Sequence, residues 1–308
     1  MIKAILSGTI LSSLLISTAF ASPFSPTRSE ALVAGPAGMA GQIIESGYRK
    51  KAEICGVWAG QSPMNGPVGC PREAFEMATE ILVKDLRQAF EQARALDGSM
   101  AERLDVFADA TRKLHPSNAA IVDRLVARLK EHDAGKDAPK PGDVMPPFVL
   151  SDENGRLVNL KDLLARGPVV VTFHRGHWCP YCRISISTLV KAQPRIEALG
   201  ARMVAIVPDR EQFAAEMKED CNVNFPILCD MDNGYAMSLN LAIWVGDEMQ
   251  EYMSKIGRPL PQYQGNDSWM LPIPATFVVG KDGRIKARFV DPDYRKRMAV
   301  EDLIAAFS

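Results

Sequence analysis

Residues 169–182 read VVVTFHRGHWCPYC, an apolar run followed by a glycine-containing turn and a C-P-Y-C motif. A continuous run of this kind, rich in valine, is typical of a strand that is buried on both faces of a sheet. The chain turns at Gly176, and Pro180 suits the first turn of a helix. The stretch therefore predicts that Cys179 and Cys182 lie at the start of a helix, directly after a central strand.

The position and spacing of these two cysteines indicate redox chemistry. Unpaired backbone N–H groups at a helix start favour negative charge, so a thiolate there is stabilised and its pKa falls. The short gap lets the second sulfur reach the first, so the pair can cycle between dithiol and disulfide. We therefore predict that Cys179 and Cys182 form one redox-active pair.

Other interpretations of the stretch stay open. The two cysteines, together with His174 and His177, could bind zinc, but ligands this close in sequence would surround a tetrahedral metal awkwardly. We therefore expect no metal and no cofactor. The pair could also be a structural disulfide. The histidines could act as bases or only bond to nearby backbone, and Arg175 could give the site positive charge or lie on the surface.

Strands and helices alternate beyond this stretch. The runs at 203–207 and 225–229 have the pattern of buried strands, and each is followed by apolar residues at helical spacing. Residues 275–279 and 285–290 have the pattern of a hairpin, and a helix is predicted over 300–307. The alternation predicts an α/β fold with a central mixed sheet flanked by helices.

The chain before residue 141 has a different pattern. Apolar residues recur at helical spacing in three segments, 71–96, 101–114 and 117–132. Ser117 or Asn118 is expected to cap the third helix. A polar, Pro- and Gly-containing stretch follows and has the composition of a linker. We therefore predict a helical N-terminal region with its linker over 22–140 and the sheet domain over 141–308.

Composition and the first residues bear on partners and location. The formal net charge of -1 offers no basic surface for nucleic acid or anionic lipid. Lys3, the apolar run Ala4–Phe20 and the small residues before position 22 resemble a secretory signal, over 1–21 and cleaved after Ala21. A periplasmic or secreted protein with no membrane segment after cleavage is expected. Translation from Met100 would instead give a cytoplasmic protein.

The remaining cysteines predict further bonds. Six cysteines are present, an even number that suggests pairing in an exported chain. A Cys55–Cys70 disulfide would close a Gly- and Pro-rich loop, and a Cys221–Cys229 disulfide would join a helix end to the next strand. The alternative is that these four are unbonded, small apolar residues.

The motifs together resemble a known family. They are GDVMPPFVLSDENGRLVNL (142–160), FHRGHWCPYC (173–182), WMLPIPATFVVGKDG (269–283) and FVDPDY (289–294). Over residues 101–308 the chain is similar to peroxiredoxin-like members of the alkyl hydroperoxide reductase/thiol-specific antioxidant (AhpC/TSA) family, in the thioredoxin superfamily. The resemblance implies a thioredoxin-like fold with an N-terminal helical extension. It also implies that Pro274 is a cis-proline that faces the cysteine pair.

The resemblance leaves the order of the two sulfurs open. One alignment puts Cys182 where the peroxidatic cysteine of the family lies and Cys179 where the family usually has threonine. Arg175 then replaces the usual proline, and Pro274 stands where many peroxiredoxins have an arginine. On the thioredoxin match, Cys179 is instead the nucleophile and Cys182 resolves it.

Three functions remain as hypotheses. The first is a thiol peroxidase that reduces hydroperoxides and is regenerated by a thioredoxin-like or other dithiol reductant, with Cys179, Cys182, Pro274 and Arg175 as site residues. The second is a thioredoxin-like thiol–disulfide oxidoreductase that acts on protein disulfides. The third is a partner-binding or redox-sensing protein without turnover. The sequence gives no indication of the oligomeric state.

Overall fold

The computed structural model describes residues 85–307. Several of the predictions above fall outside this range. They are the signal over 1–21, the Cys55–Cys70 disulfide and the first part of the helix over 71–96. These stay predictions from the sequence.

Seven strands form one mixed sheet, and two more form a separate antiparallel pair. The strands are β1 (Val149–Asp152), β2 (Leu157–Asn159), β3 (Val169–Phe173), β4 (Arg202–Val207), β5 (Ile227–Cys229), β6 (Ala242–Trp244), β7 (Met270–Pro272), β8 (Ala275–Val279) and β9 (Ile285–Val290). The order in the large sheet is β2-β1-β5-β4-β3-β8-β9, and β6 pairs with β7. Strands β3, β4 and β5 are parallel, and the others run antiparallel to their neighbours.

Helices cover both faces of this sheet, as predicted. They are α1 (85–95), α2 (Met100–Leu114), α3 (Pro116–Glu131), α4 (Leu160–Ala165), α5 (Pro180–Ala198), α6 (Glu211–Asp220), α7 (Gly234–Ser238), α8 (Asp247–Lys255), α9 (Leu260–Gln264) and α10 (Val300–Ala305). Within residues 85–307, no helix has the length and apolar character that a bilayer crossing needs. The central mixed sheet and its helices confirm the predicted thioredoxin-like fold class.

The apolar run of β3 is explained by burial on two sides. All of its residues, Val169–Phe173, are buried. Successive strand residues point to opposite faces, so Val170 packs in the core on the α5 side, whereas Val169 and Val171 pack in the core on the other face. The strand therefore holds the loop before α5 in a fixed position at the carboxyl end of β3.

Helices α1 and α2 share the apolar core of α5. Ser99 caps α2 in a reciprocal capping box with Glu102, which fixes where this helix begins. From α2, Phe107 packs edge to face on Tyr181 of the C-P-Y-C motif, with ring centroids 5.2 Å apart. This region therefore supports the helix that carries the cysteines. The boundary at residue 140 stays a prediction.

Three local expectations differ from the structure. Helix α3 begins at Pro116 after His115, with no side-chain cap, so neither Ser117 nor Asn118 is the N-cap. Proline at the first helical position has no backbone N–H, so this helix start has one donor fewer that needs a side-chain acceptor. The apolar residues at helical spacing after β5 form only a short helix, α7, which ends at Ser238. Strands β1 and β2 were not predicted, because strands of three or four residues carry little alternating pattern.

The predicted Cys221–Cys229 disulfide is not formed. Both cysteines are free and buried. Cys221 lies at the end of α6, with its Sγ 3.7 Å from the carbonyl oxygen of Arg183, whereas Cys229 ends a sheet strand. Burial raises the pKa of Cys229 to about 12 and also raises the pKa of Cys221, so the thiolate needed for disulfide exchange is scarce.

Alkylation of the unfolded protein tests this correction. Iodoacetamide added to non-reduced, denaturant-unfolded protein is expected to label Cys221 and Cys229 fully, because neither is bonded. Peptide mass mapping measures the labelling. A linked peptide that contains both residues would contradict the structure.

Candidate active site

The cysteines stand at the point where β3 leaves the sheet. His174 N–H still bonds to the carbonyl of Ile206 on β4, at 2.9 Å, and the chain then turns through Gly176 with φ +134°. Cys179 is the N-cap of α5, with Pro180 at the first helical position. The structure therefore confirms the strand–turn–helix arrangement, with Cys179 beside the unpaired N–H groups of the helix start.

Both sulfurs are free and almost inaccessible. Cys179 is 1% exposed and Cys182 0% exposed. Two donors reach the Sγ of Cys182: the backbone N–H of Arg175 at 3.3 Å and Nη2 of Arg297 at 3.5 Å. The structure thus presents the reduced, dithiol form of the pair, in which the Sγ of Cys182 accepts both of these hydrogen bonds.

The surroundings of the pair separate the acidities of the two thiols. Burial opposes ionisation of Cys179, but the hydrogen bond from Cys182 and the positive charges of Arg175 and Arg297 outweigh it and lower the pKa to about 6. Burial raises the pKa of Cys182 well above its ordinary value, and the neighbouring Cys179 raises it further. These opposite directions favour a thiolate on Cys179 and a protonated thiol on Cys182.

Arg175 is the principal buried cation of the site. It is 5% exposed, and its Cζ lies 3.7 Å from the ring centroid of Tyr294 and 5.0 Å from that of Trp178. Within the described part of the chain it forms no salt bridge with a carboxylate. A buried charge needs a compensating partner, and the thiolate of Cys179 is the anion that its charge stabilises.

The two histidines occupy different environments. His174 is buried, and Nε2 lies 3.0 Å from Oγ1 of Thr172. Burial and the charge of Arg297 hold its pKa well below the ordinary value, so it is neutral. The ring of His177 contacts carboxylates on α6, with Nε2 2.6 Å from Asp220 and Nδ1 3.4 Å from Glu216. These contacts anchor the active-site loop to α6.

A carboxylate that the sequence reasoning missed lies beside the pair. Asp209 follows β4, is 0% exposed, and accepts the backbone N–H of His177 at 2.7 Å through Oδ2. Burial raises its pKa to about 7, against the opposing hydrogen bond, and the negative charge of Cys179 raises it further. One signal could have found it: β3 and β4 are parallel neighbours, so the residues after both strands meet at one sheet edge.

Aromatic side chains cover the loop. The Trp178 ring lies 6.3 Å from that of Tyr263, and Tyr263 lies 5.0 Å from Phe213. Arg210 holds α9 in place, since its backbone N–H donates to the carbonyl of Tyr263 at 2.9 Å and its Nη2 to that of Gln262 at 2.6 Å. Trp178 also packs against the apolar cluster formed by α3, α8 and β7. Trp178, the residue before Cys179, is therefore packed on both Tyr263 and this cluster.

Comparison with known proteins identifies the family. A model described as "AhpC/TSA family" matches residues 141–288. A candidate peroxiredoxin of Mycobacterium tuberculosis is 30% identical over 146 residues, which are 47% of this chain and 81% of that protein. The chain belongs to the AhpC/TSA family.

Other relatives of this AhpC/TSA protein have different names. The thiol-disulfide oxidoreductase ResA of Bacillus subtilis is 31% identical over 100 residues, and the match spans 32% of this chain and 55% of that protein. Peroxidoxin BcpB from Mycobacterium tuberculosis has a similar solved structure, at 20% identity and a TM-score of 0.43, covering 55% of this chain and 96% of that one. The ResA protein and the candidate peroxiredoxin are both oxidoreductases by name, and the chain belongs to an oxidoreductase family.

A second arginine of this AhpC/TSA protein, Arg297, reaches Cys182 from a distant part of the chain. Pro274 is buried directly before β8, and Thr276 of β8 pairs with Thr172 of β3, so Pro274 lies at the strand end from which the cysteine loop starts. Arg297 lies in the segment between β9 and α10, and its Nη2 donates to the Sγ of Cys182. Sequence reasoning missed it, since no local motif links residue 297 to the cysteines. The cis peptide bond before Pro274 stays a prediction.

Unpartnered polar atoms concentrate here. Within residues 85–307, seven buried side-chain atoms have no hydrogen-bond partner, and four of them belong to this site. They are Nδ1 of His174, Nε1 of Trp178, Oδ1 of Asp209 and Nε of Arg297. Native structures pair nearly all buried polar groups. These donors and acceptors are available to a small polar reactant.

Gly176 gives a test of this packing. A Cβ there would lie 2.6 Å from Oδ1 of Asp209, and its positive φ is strained for other residues. Gly142, with φ +96° and nothing within 4 Å, is a matched control for the backbone effect. Gly176→Ala is expected to lower the free energy of unfolding by about 1–3 kcal/mol more than Gly142→Ala. Urea denaturation measures both. Equal losses would show that Asp209 does not contact Gly176.

Proposed function

We propose that this protein is a two-cysteine thiol peroxidase in which Cys179 attacks a hydroperoxide and Cys182 resolves the product. The observation that carries the proposal is the buried Arg175 guanidinium, which has aromatic rings but no carboxylate as partners and stabilises a thiolate on Cys179. Such a fixed charge also stabilises the anion that leaves when an O–O bond breaks.

The acidities support this order of the two sulfurs. Only a thiolate is a strong nucleophile, and Cys179 has the lowered pKa, whereas Cys182 has the raised one. The Sγ of Cys182 also accepts hydrogen bonds from Arg175 and Arg297, and Cys182 is buried, as Cys179 is. The thioredoxin-like order therefore fits better than the alternative in which Cys182 attacks first.

The chemistry follows in two steps. The Cys179 thiolate attacks the terminal oxygen of ROOH, so an S–O bond forms, the O–O bond breaks, and the departing alkoxide takes a proton to become ROH. Cys182 then attacks the sulfenic acid, so the S–S bond forms and water leaves. Two electrons have passed from the dithiol to the peroxide. A thioredoxin-like or other dithiol returns them by exchange.

The cover over the loop supports a small substrate. Cys179 is 1% exposed, and the preceding residue, Trp178, packs on Tyr263. A hydroperoxide needs only a narrow opening, whereas a protein disulfide has to displace these side chains. We further propose the exported location that residues 1–21 predict.

A second candidate is a thiol–disulfide oxidoreductase. A specific observation favours it: Cys179, the first cysteine of the C-P-Y-C pair, is the N-cap of α5, and Pro274 stands at the adjacent strand end. The same thiolate that attacks peroxide would attack a disulfide sulfur.

Paired assays separate these functions. Hydroperoxide consumption with an excess of a small dithiol is measured beside insulin-disulfide reduction, for wild type, Cys179→Ser and Cys182→Ser. Peroxide turnover that is lost in Cys179→Ser, with slow insulin reduction, is the expected result. Rapid insulin reduction without peroxide turnover would instead establish the second candidate. Inactivity in both assays would leave the partner-binding or redox-sensing hypothesis.

A further inference from the structure

We propose that Asp209 is the proton-transfer residue of the cysteine pair: it protonates the leaving alkoxide and then accepts the proton of Cys182. This inference rests on the proposed peroxidase function and assigns a group that the two steps above leave unnamed. It starts from a fully buried carboxylate beside Cys179 that forms no salt bridge within residues 85–307.

The position of Asp209 is fixed by the chain itself. It follows β4, the parallel neighbour of β3, and the two strands end at one sheet edge. The backbone N–H of His177 holds Oδ2 at 2.7 Å, while Oδ1 has no partner. Gly176 supplies the space, because any Cβ at that position would overlap both carboxyl oxygens. One oxygen is thus anchored, and the other is free to exchange a proton.

The charges that face Asp209 favour its protonated form while the pair is reduced. Negative charge on Cys179 and Glu216 acts on it from α5 and α6. Tyr263 of α9 and Cys229 of β5 also interact with it, and neither is a cation. His177 contributes its backbone N–H, while its ring contacts the carboxylates of α6. Oxidation removes the Cys179 charge, so Asp209 then becomes more acidic.

The proton balance fits both chemical steps. In the first step the Asp209 carboxylic acid gives its proton to RO⁻, which leaves as ROH, and Asp209 becomes a carboxylate. In the second step this carboxylate takes the proton from Cys182, whose sulfur attacks the sulfenic acid of Cys179. The same proton passes to the departing hydroxide, which leaves as water. Solvent reprotonates Asp209 when an external dithiol returns Cys179 to the thiolate.

The pH profile follows from this assignment. Attack needs Cys179 ionised, with a pKa of about 6, and proton donation needs Asp209 protonated, with a pKa of about 7. The rate should therefore rise through the first value and fall through the second, and the two apparent values belong to a coupled pair. A structural role for Asp209 would not give this falling limb.

Rapid mixing of the reduced protein with one equivalent of hydrogen peroxide, from pH 5 to 9, tests the proposal. The protein fluorescence of wild type, Asp209→Asn and Glu219→Gln is followed. Asp209→Asn is expected to slow the reaction on the order of 10²-fold and to lose the limb above neutrality. Glu219→Gln changes an exposed carboxylate on α6 and should match wild type.

The outcomes are distinct. A wild-type protein that does not react with peroxide would overturn the proposed function. A reactive wild type with an Asp209→Asn variant of unchanged rate and profile would overturn only the role of Asp209. Where Asp209→Asn fails to fold, the wild-type profile still decides, because a rate that stays constant from pH 7 to 9 contradicts proton donation by this group.

Discussion

Replacing Cys179 by serine is expected to lower peroxide turnover on the order of 10⁴-fold or more, because a serine hydroxyl is not ionised at neutral pH and the attacking group is lost. Replacing Cys182 by serine should leave the first attack nearly intact. The serine hydroxyl can still donate a hydrogen bond to the Cys179 thiolate, in place of the Cys182 thiol that helps to lower the pKa of Cys179. Without added thiol the reaction then stops at the sulfenic acid, since no resolving thiol remains.

Single-turnover kinetics and trapping with dimedone measure both effects. Cys182→Ser is expected to give one dimedone adduct on Cys179 for each equivalent of peroxide. Cys221→Ser is a suitable control, because that thiol is buried with a raised pKa and takes no part in the pair. Cys179→Ser that still reacts rapidly, with an adduct on Cys182, would reverse the proposed order.

Arg175→Gln is expected to have the second largest effect. It removes a buried charge that lowers the pKa of Cys179, so that pKa should rise by about one to three pH units. At pH 7 the thiolate fraction would fall from about 90% to roughly 10% for a rise of two. Weaker stabilisation of the leaving anion adds to this loss, and kcat/KM should drop on the order of 10²-fold.

Thiolate absorbance at 240 nm, followed against pH, measures the rise in the pKa of Cys179 separately from the weaker stabilisation of the leaving anion. Arg202→Gln is the matched control, because Arg202 is exposed at the start of β4. The thiolate absorbance of Arg175→Gln should approach that of wild type at pH 9, where Cys179 is again ionised. An unchanged titration curve would show that Arg175 does not act on Cys179.

Much of this site could be predicted because its signals are local. The valine run of β3 is continuous because both of its faces are buried, and Pro180 with the cysteine spacing determines a helix start. The strand–turn–helix unit is therefore encoded within fourteen consecutive residues, 169–182. The mixed sheet followed from the alternation of elements, since parallel strands need helical crossovers.

The remaining parts come from tertiary contacts. Arg297 and Asp209 approach the cysteines from distant segments, and neither lies in a motif that marks it. Tyr263 reaches Trp178 from α9, which Arg210 holds by hydrogen bonds to backbone carbonyls. The Cys221–Cys229 prediction was wrong for a related reason: proximity in sequence does not determine where the two sulfurs point.

The proposed order of attack requires that Cys179 is the thiolate of the pair and Cys182 its protonated partner. The measurement that tests it most directly is an NMR titration of the reduced protein with ¹³Cβ-labelled cysteine, which reports the ionisation of each sulfur separately. The account predicts that the Cys179 resonance titrates near pH 6, while Cys182 stays protonated beyond pH 9. A Cys182 resonance that titrates below that of Cys179 would contradict it.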